Sequence, residues 1–282
     1  QKYRMMQEES EMTETNTSGI ITAAADIIAG AFNALPKRVC NQHKFSDYAD
    51  YLHENLPAQA ELDLQREKPL NPAPLVSVAI ACSGASRAAV RSTLEALGKQ
   101  TYANFEVCVV SELAQAGLTD YEGIPKFRLV LFNGTAHEQL KAAEKMLNGA
   151  YFLQLLPGDL PAPDALHMLV LQTHSNPEAE VVFADEDSVI DGIRQNPIFK
   201  PDYGRDTLRS FNSIGRPMLV SKRVHTAVGG FRGSTPAELW AYCIDCASVA
   251  KQVIHIARIG LTVIRDCDGS EIPCTDILKR EF

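Results

Sequence analysis

The sequence predicts an α/β fold in which a mostly parallel sheet is covered by helices on both faces. From residue 75 onward, continuous apolar runs of strand length alternate with segments whose apolar residues recur every three or four positions. With 45% hydrophobic residues, the chain of 282 residues can bury a substantial core. Sheets of this kind bind ligands beyond the carboxyl ends of their strands, so the loops that follow the strands form the candidate site.

Charge and apolar content exclude two classes of protein. The net charge is -8 and the pI is about 5.4, so the chain lacks the positive face that a nucleic-acid binder needs. The sequence has no run of 18 or more apolar residues, so it predicts no transmembrane segment. Its glutamate-rich start does not fit a secretory signal. The predicted location is cytoplasmic, with peripheral membrane binding as an alternative. Because the chain begins at Gln1, we expect a fragment or processed form of a longer protein.

Residues 1–74 are predicted to be an appendage of acidic tail, amphipathic helix and Pro-rich linker. An apolar stripe closed by Pro36 predicts the helix over residues 20–35. This helix packs on its own domain or docks on a protein partner, whereas the lack of Lys and Arg on its polar face weakens membrane binding. The stripe comprises Ile20, Ile21, Ala24, Ile27, Ile28, Ala31, Phe32 and Leu35.

The domain over residues 75–265 is predicted to alternate strands and helices, and residues 266–282 to form a C-terminal tail. The predicted strands are 75–81, 105–110, 127–132, 151–155 and 180–184. The predicted helices are 86–99, 135–147 and 163–173, the last with Pro163 at its first position.

Seven cysteines at irregular spacing favour reduced thiols in a cytosolic protein. Cys243 and Cys246 form a C-x-x-C that, with Cys267 and Cys274, has the ligand number of a four-thiolate zinc site. The first pair lies in a helical pattern without a zinc-knuckle turn, which argues against that site.

Several segments, in order over roughly residues 48–265, resemble family-2 glycosyltransferases. Pro74–Ile80 is similar to the opening strand of the family, and Leu94–Val107 is similar to its Ser-Leu-x-x-Gln-Thr-Tyr-x-Asn-Phe-Glu segment. Phe183–Asp187 and Asn196–Tyr203 resemble a narrower group that builds bacterial surface polysaccharides and O-antigens, and 212–215 and 228–232 continue that likeness. The resemblance implies a GT-A nucleotide-sugar fold, a nucleotide-sugar donor and a glycan acceptor.

The metal-binding positions of that family are changed in this chain. The family's Asp-x-Asp-Asp becomes Leu156-Pro157-Gly158-Asp159, and its metal-associated histidine falls on Thr262. We therefore predict no metal ligands and no cofactor, although the leaving diphosphate still needs positive charge. The cations Lys200, Arg209 and Arg216 are candidate partners for the diphosphate, and surface positions are the alternative.

The resemblance implies further site residues, each with an alternative. Ser83, Glu112 and Asp159 are the donor-binding candidates, and Asp159 alternatively orients the turn in which it lies. At the sheet edge, Asp185, Glu186 and Asp187 follow the strand predicted at 180–184 and alternatively are a solvated charge run. Glu238, in the segment Pro236–Trp240, is the candidate catalytic base in one alignment, whereas another alignment leaves that position empty. The edge set comprises Asp185, Glu186, Asp187, Lys200 and Arg216, and His255 is predicted to be a structural residue on a strand.

Two functions remain open from the sequence. The first is a glycosyltransferase of surface-polysaccharide assembly with an altered, metal-independent donor site. The second is a non-catalytic glycosyltransferase-like domain that binds glycan or pairs with a protein partner.

Overall fold

The computed structural model of the chain describes residues 45–112, 124 and 126–265. The predicted helix at 20–35, Cys267, Cys274 and the C-terminal tail lie outside the described residues. The chain divides into two compact units, Gln1–Glu54 and Asn55–Phe282. In the first unit, the rings of Tyr48 and Tyr51 stack with their centroids 5.9 Å apart. The predicted boundaries at residues 74 and 265 stay predictions.

Helices and strands alternate through the second unit as the apolar pattern predicts. The helices of the described residues are α1 (Phe45–Asn55), which begins in the first unit, and then α2 (Gln59–Glu67), α3 (Arg87–Leu97), α4 (Ala136–Glu144), α5 (Ala165–Ser175), α6 (Arg205–Ser210), α7 (Lys222–Ala227) and α8 (Pro236–Val249). The strands of the described residues are β1 (Val76–Ala81), β2 (Phe105–Ser111), β3 (Phe127–Leu131), β4 (Tyr151–Leu155), β5 (Asp159–Pro161), β6 (Ala179–Ile190), β7 (Ile193–Ile198), β8 (Met218–Ser221) and β9 (Gln252–Ile264).

The strands of the described residues form one sheet in the order β3-β2-β1-β4-β8-β6-β9-β5, with β7 paired to β6. Strands β3, β2, β1 and β4 are parallel to one another. In the other half of the sheet, β6 and β9 are parallel, whereas β8, β7 and β5 pair antiparallel. The predicted α/β class is confirmed: one half of the sheet is parallel throughout, and the other half is mixed.

The core covers both faces of the sheet because successive side chains of a strand point to opposite faces. On one face, Val78 and Ile80 of β1 pack with Leu94 of α3. On the other face, Ala79 of the same strand packs with Leu140 of α4. Burial on both faces explains why β1 and β2 are apolar throughout rather than alternating.

Two predicted elements differ in the structure. Helix α5 begins at Ala165, and Pro163 precedes it instead of taking its first position, because Asp164 already lies in the N-cap position. Strand β6 continues from Ala179 to Ile190, six residues beyond the predicted end at Ala184. Asp185, Glu186 and Asp187 therefore lie within a strand, and the prediction that they follow it is wrong.

Candidate functional site

The parallel half of the sheet has a topological switch point between β1 and β4. The chain passes from β1 to β2 on one side, and β4 flanks β1 on the other. The loops after β1 and β4 therefore diverge and leave a crevice at the carboxyl ends of these strands, where α/β sheets bind ligands. Residues 82–86 follow β1, and residues 156–158 follow β4.

Ser83 and Glu112, two of the predicted donor-binding residues, lie together at this edge. The Ser83 hydroxyl donates to Glu112 Oε1 at 3.2 Å, and both residues are exposed. The preceding backbone N–H of Cys82 is held by Gln139 Oε1 at 2.9 Å. A hydroxyl and a carboxylate on a fixed loop can accept and donate hydrogen bonds to a polar ligand.

Asp159 holds the turn that follows β4. Its Oδ2 accepts from the backbone N–H of Leu156 at 2.8 Å, and the residue is 1% exposed. Gly158 takes a φ of 95°, which favours glycine, and its N–H donates to Thr93 Oγ1 at 2.9 Å. The contact with Leu156 supports the turn-orienting alternative for Asp159.

Arg216 places a cation at the same turn. Its Nε lies 3.3 Å from Asp159 Oδ2, and its side chain is 9% exposed. Arg216 precedes β8, whose antiparallel pairing with β4 brings the two segments together. A guanidinium therefore lies beside the turn that lacks the family's metal-binding carboxylates.

Lys200, the second predicted cation, is buried against backbone and carboxylate. Its Nζ donates to the carbonyl of Ala184 at 2.7 Å and of Arg216 at 2.6 Å, and it lies 3.1 Å from Glu186 Oε2. Burial alone would raise the pKa of Glu186, but the charges of Lys200 and Arg216 hold it below its ordinary value. An ammonium has three N–H donors, and all three have partners here. These contacts support a structural role for Lys200.

The remaining acidic residues of β6 are paired as well. Asp185 Oδ1 accepts from the Lys200 N–H at 2.9 Å and contacts His255 Nε2 at 2.7 Å. Asp187 Oδ2 accepts from Arg194 Nε at 2.7 Å. Asp185 and Asp187 are each 1% exposed, so the solvated-charge alternative does not apply to them. His255 lies on β9, as predicted.

Glu238 lies in the first turn of α8 and helps to cap the N-terminus of that helix. Its Oε2 accepts from the N–H of Thr235 at 3.0 Å, from the Thr235 hydroxyl at 2.7 Å and from the N–H of Ser234 at 3.1 Å. The Thr235 side chain in turn accepts from the Glu238 N–H, which completes a capping box. Hydrogen bonds from Thr235, then Ser234, hold the pKa of Glu238 below its ordinary value. Glu238 as catalytic base stays a prediction.

A small cavity connects Arg216 with α8, and sequence reasoning missed two of its residues. Its volume is about 20 Å³. Gln154 Nε2 donates to the carbonyl of Gly233 at 2.7 Å, while its Oε1 is buried without a hydrogen-bond partner. A glutamine inside the apolar run of β4 was the available signal, whereas nothing local singled out Tyr242. The lining residues are Gln154, Gly215, Arg216, Met218, Leu239, Tyr242 and Cys243.

The described residues contain no group of three or more His, Cys, Asp or Glu side chains placed to hold a metal ion. Cys243 and Cys246 are buried, free thiols on α8, and burial raises the pKa of Cys243 to about 12. Arg209, the third predicted cation, is 58% exposed on α6 and lies 4.0 Å from Asp206. Its place on the surface supports the surface-cation alternative.

Comparisons with known proteins agree with this architecture. No model of a known protein family matches the chain. The chain is 30% identical over 199 residues to the uncharacterized protein y4gI of Sinorhizobium fredii, and the match covers 66% of this chain and 22% of that protein. The chain is 25% identical over 196 residues to the O-antigen biosynthesis protein RfbC of Myxococcus xanthus, and this match covers 66% of the chain and 15% of that protein. The chain thus spans less than a quarter of either curated relative.

Among solved structures, S. aureus TarS 1-349 in complex with UDP-GlcNAc matches with a TM-score of 0.56 and 14% identity. The match covers 68% of this chain and 58% of that structure. The resemblance to glycosyltransferases is confirmed at the level of the fold, which is GT-A-like. No described helix has the length and apolar character needed to cross a bilayer.

Proposed function

We propose that this chain, which has the GT-A fold of glycosyltransferases, transfers a sugar from a nucleotide-sugar donor during assembly of a surface polysaccharide or related glycan. The observation that carries the proposal is the pair Ser83 and Glu112, exposed where β1 and β2 end beside the switch point. Likeness to an O-antigen biosynthesis protein supports the polysaccharide context. A cytoplasmic location and a protein partner for residues 20–35 stay predictions.

The proposed donor site works without the family's metal carboxylates. In this proposal Ser83 and Glu112 contact the nucleoside part of the donor, and Arg216 supplies positive charge near the turn after β4. A guanidinium can offset the charge that develops on a leaving diphosphate, as a metal ion does in related chemistry. Glu238 is the proposed base for the acceptor hydroxyl.

The same site gives one specific reason to keep a non-catalytic function as the second candidate. Asp159 and Arg216 are buried together as an ion pair. This edge would have to open before a donor diphosphate could reach the guanidinium. A glycan-binding or partner-binding domain would not require that opening.

We expect Glu112→Gln to weaken binding of UDP or GDP roughly tenfold, because the amide keeps an acceptor oxygen but loses the negative charge that strengthens the proposed hydrogen bond from the nucleoside. Isothermal titration of each nucleotide, and release of nucleoside diphosphate from UDP-sugars and GDP-sugars in the presence of glycan acceptors, measure binding and transfer. Glu95→Gln is the matched control, because Glu95 is also exposed but pairs with Arg91 on α3. Glycan binding without any nucleotide binding or release would favour the non-catalytic function.

We expect manganese and magnesium to leave nucleotide affinity unchanged within about twofold. In the family a metal is held by carboxylates after β4, and this chain has Leu156 and Gly158 at those positions, with Thr262 in place of the histidine. Titrating UDP and GDP with 5 mM metal or with EDTA, at about equal ionic strength, separates metal from salt effects. A tenfold tightening by manganese would contradict this prediction.

A further inference from the structure

We infer that Arg216 binds the diphosphate of the donor and that Asp159 is its intramolecular competitor, occupying the guanidinium until the anion replaces it. This inference rests on the proposed function and deepens it, because it names the residue that recognises the leaving group and the contact that restrains it.

The strand register places Arg216 at the end of β4. Strands β4 and β8 are antiparallel, with Leu153 opposite Leu219. Because β8 runs opposite to β4, Arg216, which precedes β8, lies toward the carboxyl end of β4, where Leu156 begins the changed metal motif. Arg216 therefore lies at the carboxyl end of a central parallel strand, where an anionic ligand of this fold is expected.

The backbone of Arg216 is held independently of its side chain. Its carbonyl accepts from Lys200 Nζ at 2.6 Å, and its N–H donates to Glu186 Oε2 at 3.3 Å. The buried Lys200–Glu186 ion pair thus fixes the backbone of residue 216. Fixing the backbone reduces the ordering that a ligand would otherwise cause on binding.

Asp159 and a diphosphate would make the same kind of contact with Arg216. A guanidinium presents its N–H groups in a planar fork that suits both carboxylate and phosphate oxygens. Because Asp159 is 1% exposed and lies 3.3 Å from Arg216 Nε, an anion that binds this guanidinium group must replace the carboxylate. Asp159 also accepts from the Leu156 N–H, so this exchange is coupled to movement of the turn at 156–158.

Asp159→Asn tests the competition directly with inorganic pyrophosphate as the probe. Asparagine keeps a carbonyl oxygen for the Leu156 N–H and removes the negative charge beside Arg216. We expect pyrophosphate to bind Asp159→Asn about tenfold more tightly than the unchanged protein, measured by calorimetry at fixed ionic strength. Adding Arg216→Gln to that variant should abolish the gain.

Asp164→Asn is the matched control. Asp164 is also 1% exposed and pairs with an arginine, Arg258, at 2.8 Å, but this pair lies at the start of α5. Its neutralisation should leave pyrophosphate affinity within twofold. Unchanged or weaker affinity in folded Asp159→Asn would overturn the inference, as would a gain that survives Arg216→Gln.

Two further comparisons keep the test decisive. If Asp159→Asn does not fold, Arg216→Gln alone must bind pyrophosphate more weakly than Arg258→Gln, and equal affinities overturn the inference. If pyrophosphate responds as expected while no nucleotide sugar binds or is turned over, the anion site stands and the proposed sugar transfer fails. If sugar is transferred but substitutions at residues 159 and 216 leave the pyrophosphate affinity unchanged, the proposed function stands and the anion site fails.

Discussion

Replacing Lys200 with methionine is expected to lower the free energy of unfolding by about 3–5 kcal/mol, because it removes one partner of a buried ion pair. The Lys200 side chain is 3% exposed, and that of its partner Glu186 is 12% exposed. The substitution leaves the Glu186 carboxylate without its cation and two backbone carbonyls, of Ala184 and Arg216, without their donor. Urea denaturation at pH 7, followed by circular dichroism, measures the loss.

Lys251→Met is the control for removing a lysine from an ion pair. Lys251 and Glu178 lie 3.0 Å apart, but their side chains are 57% and 64% exposed, so we expect a loss under about 1 kcal/mol. Equal losses for the two variants would show that Lys200 contributes no more than a surface pair.

The pH dependence of the Lys200→Met effect follows from Glu186. Its pKa in the folded protein lies below the ordinary value of 4.5, so the pair stabilises the protein above pH 4.5 and this contribution fades as the pH falls through the folded pKa. In Lys200→Met, Glu186 loses its main cation while burial still disfavours its charge, so it takes up a proton at a higher pH than in the unchanged protein. The stability difference between the two proteins should therefore shrink steadily as the pH falls from 7 toward 4.5 and below.

The parallel half of the fold follows from local sequence patterns. Strand β4 begins and ends where the apolar run Tyr151–Leu155 predicts, because a central parallel strand is buried on both faces. The Ser83–Glu112 contact follows from the same logic, since both residues come just after adjacent parallel strands. In this half of the sheet, the residues that local patterns assign to strands are the same residues that the tertiary fold buries.

Strand β6 shows what local patterns could not reveal. Its apolar run ends at Ala184, yet the strand continues through three acidic residues. The charges tolerate burial because their partners are Arg194, Lys200 and His255, which lie 7, 15 and 70 residues away along the chain. The partners come from β7, the segment after it and β9, so only the tertiary fold shows the pairing.

The Tyr242 position was missed for the same reason. Its hydroxyl lies 2.7 Å from His225 Nδ1, and His225 Nε2 lies 3.3 Å from Glu144 Oε1. The His225 ring also stacks on Phe152 with centroids 4.1 Å apart. These contacts join α4, β4, α7 and α8, and no spacing within one segment predicts them. The cavity beside Arg216 depends on this packing because Tyr242 is one of its walls.

Glu238→Gln should lower turnover about a hundredfold or more while leaving nucleotide binding and the melting temperature unchanged, if Glu238 is the catalytic base. Glutamine keeps the size of the side chain and the oxygen that a capping box needs, so the start of α8 should stay intact. Only the ability to accept a proton is lost. Initial rates of nucleoside diphosphate release and thermal unfolding, measured on the same samples, separate these two properties.

Glu138→Gln is the matched control because Thr135 and Glu138 form the same capping box at the start of α4. It should change neither turnover nor the melting temperature. The variant Glu238→Ala removes base and cap together, so it should lose turnover as Glu238→Gln does and also unfold at a lower temperature. Full turnover in Glu238→Gln, together with an unstable Glu238→Ala, would show that Glu238 serves only as a cap.

The pH profile gives an independent test of the same base. Hydrogen bonds from Thr235 hold the pKa of Glu238 below its ordinary value of 4.5, so the carboxylate is already ionised at pH 5 and above. The acidic limb of kcat/KM should therefore lie below pH 4.5 and should disappear in Glu238→Gln. An acidic limb near pH 6.5 would instead indicate a histidine, and Glu238 would then be excluded as the group whose ionisation limits transfer.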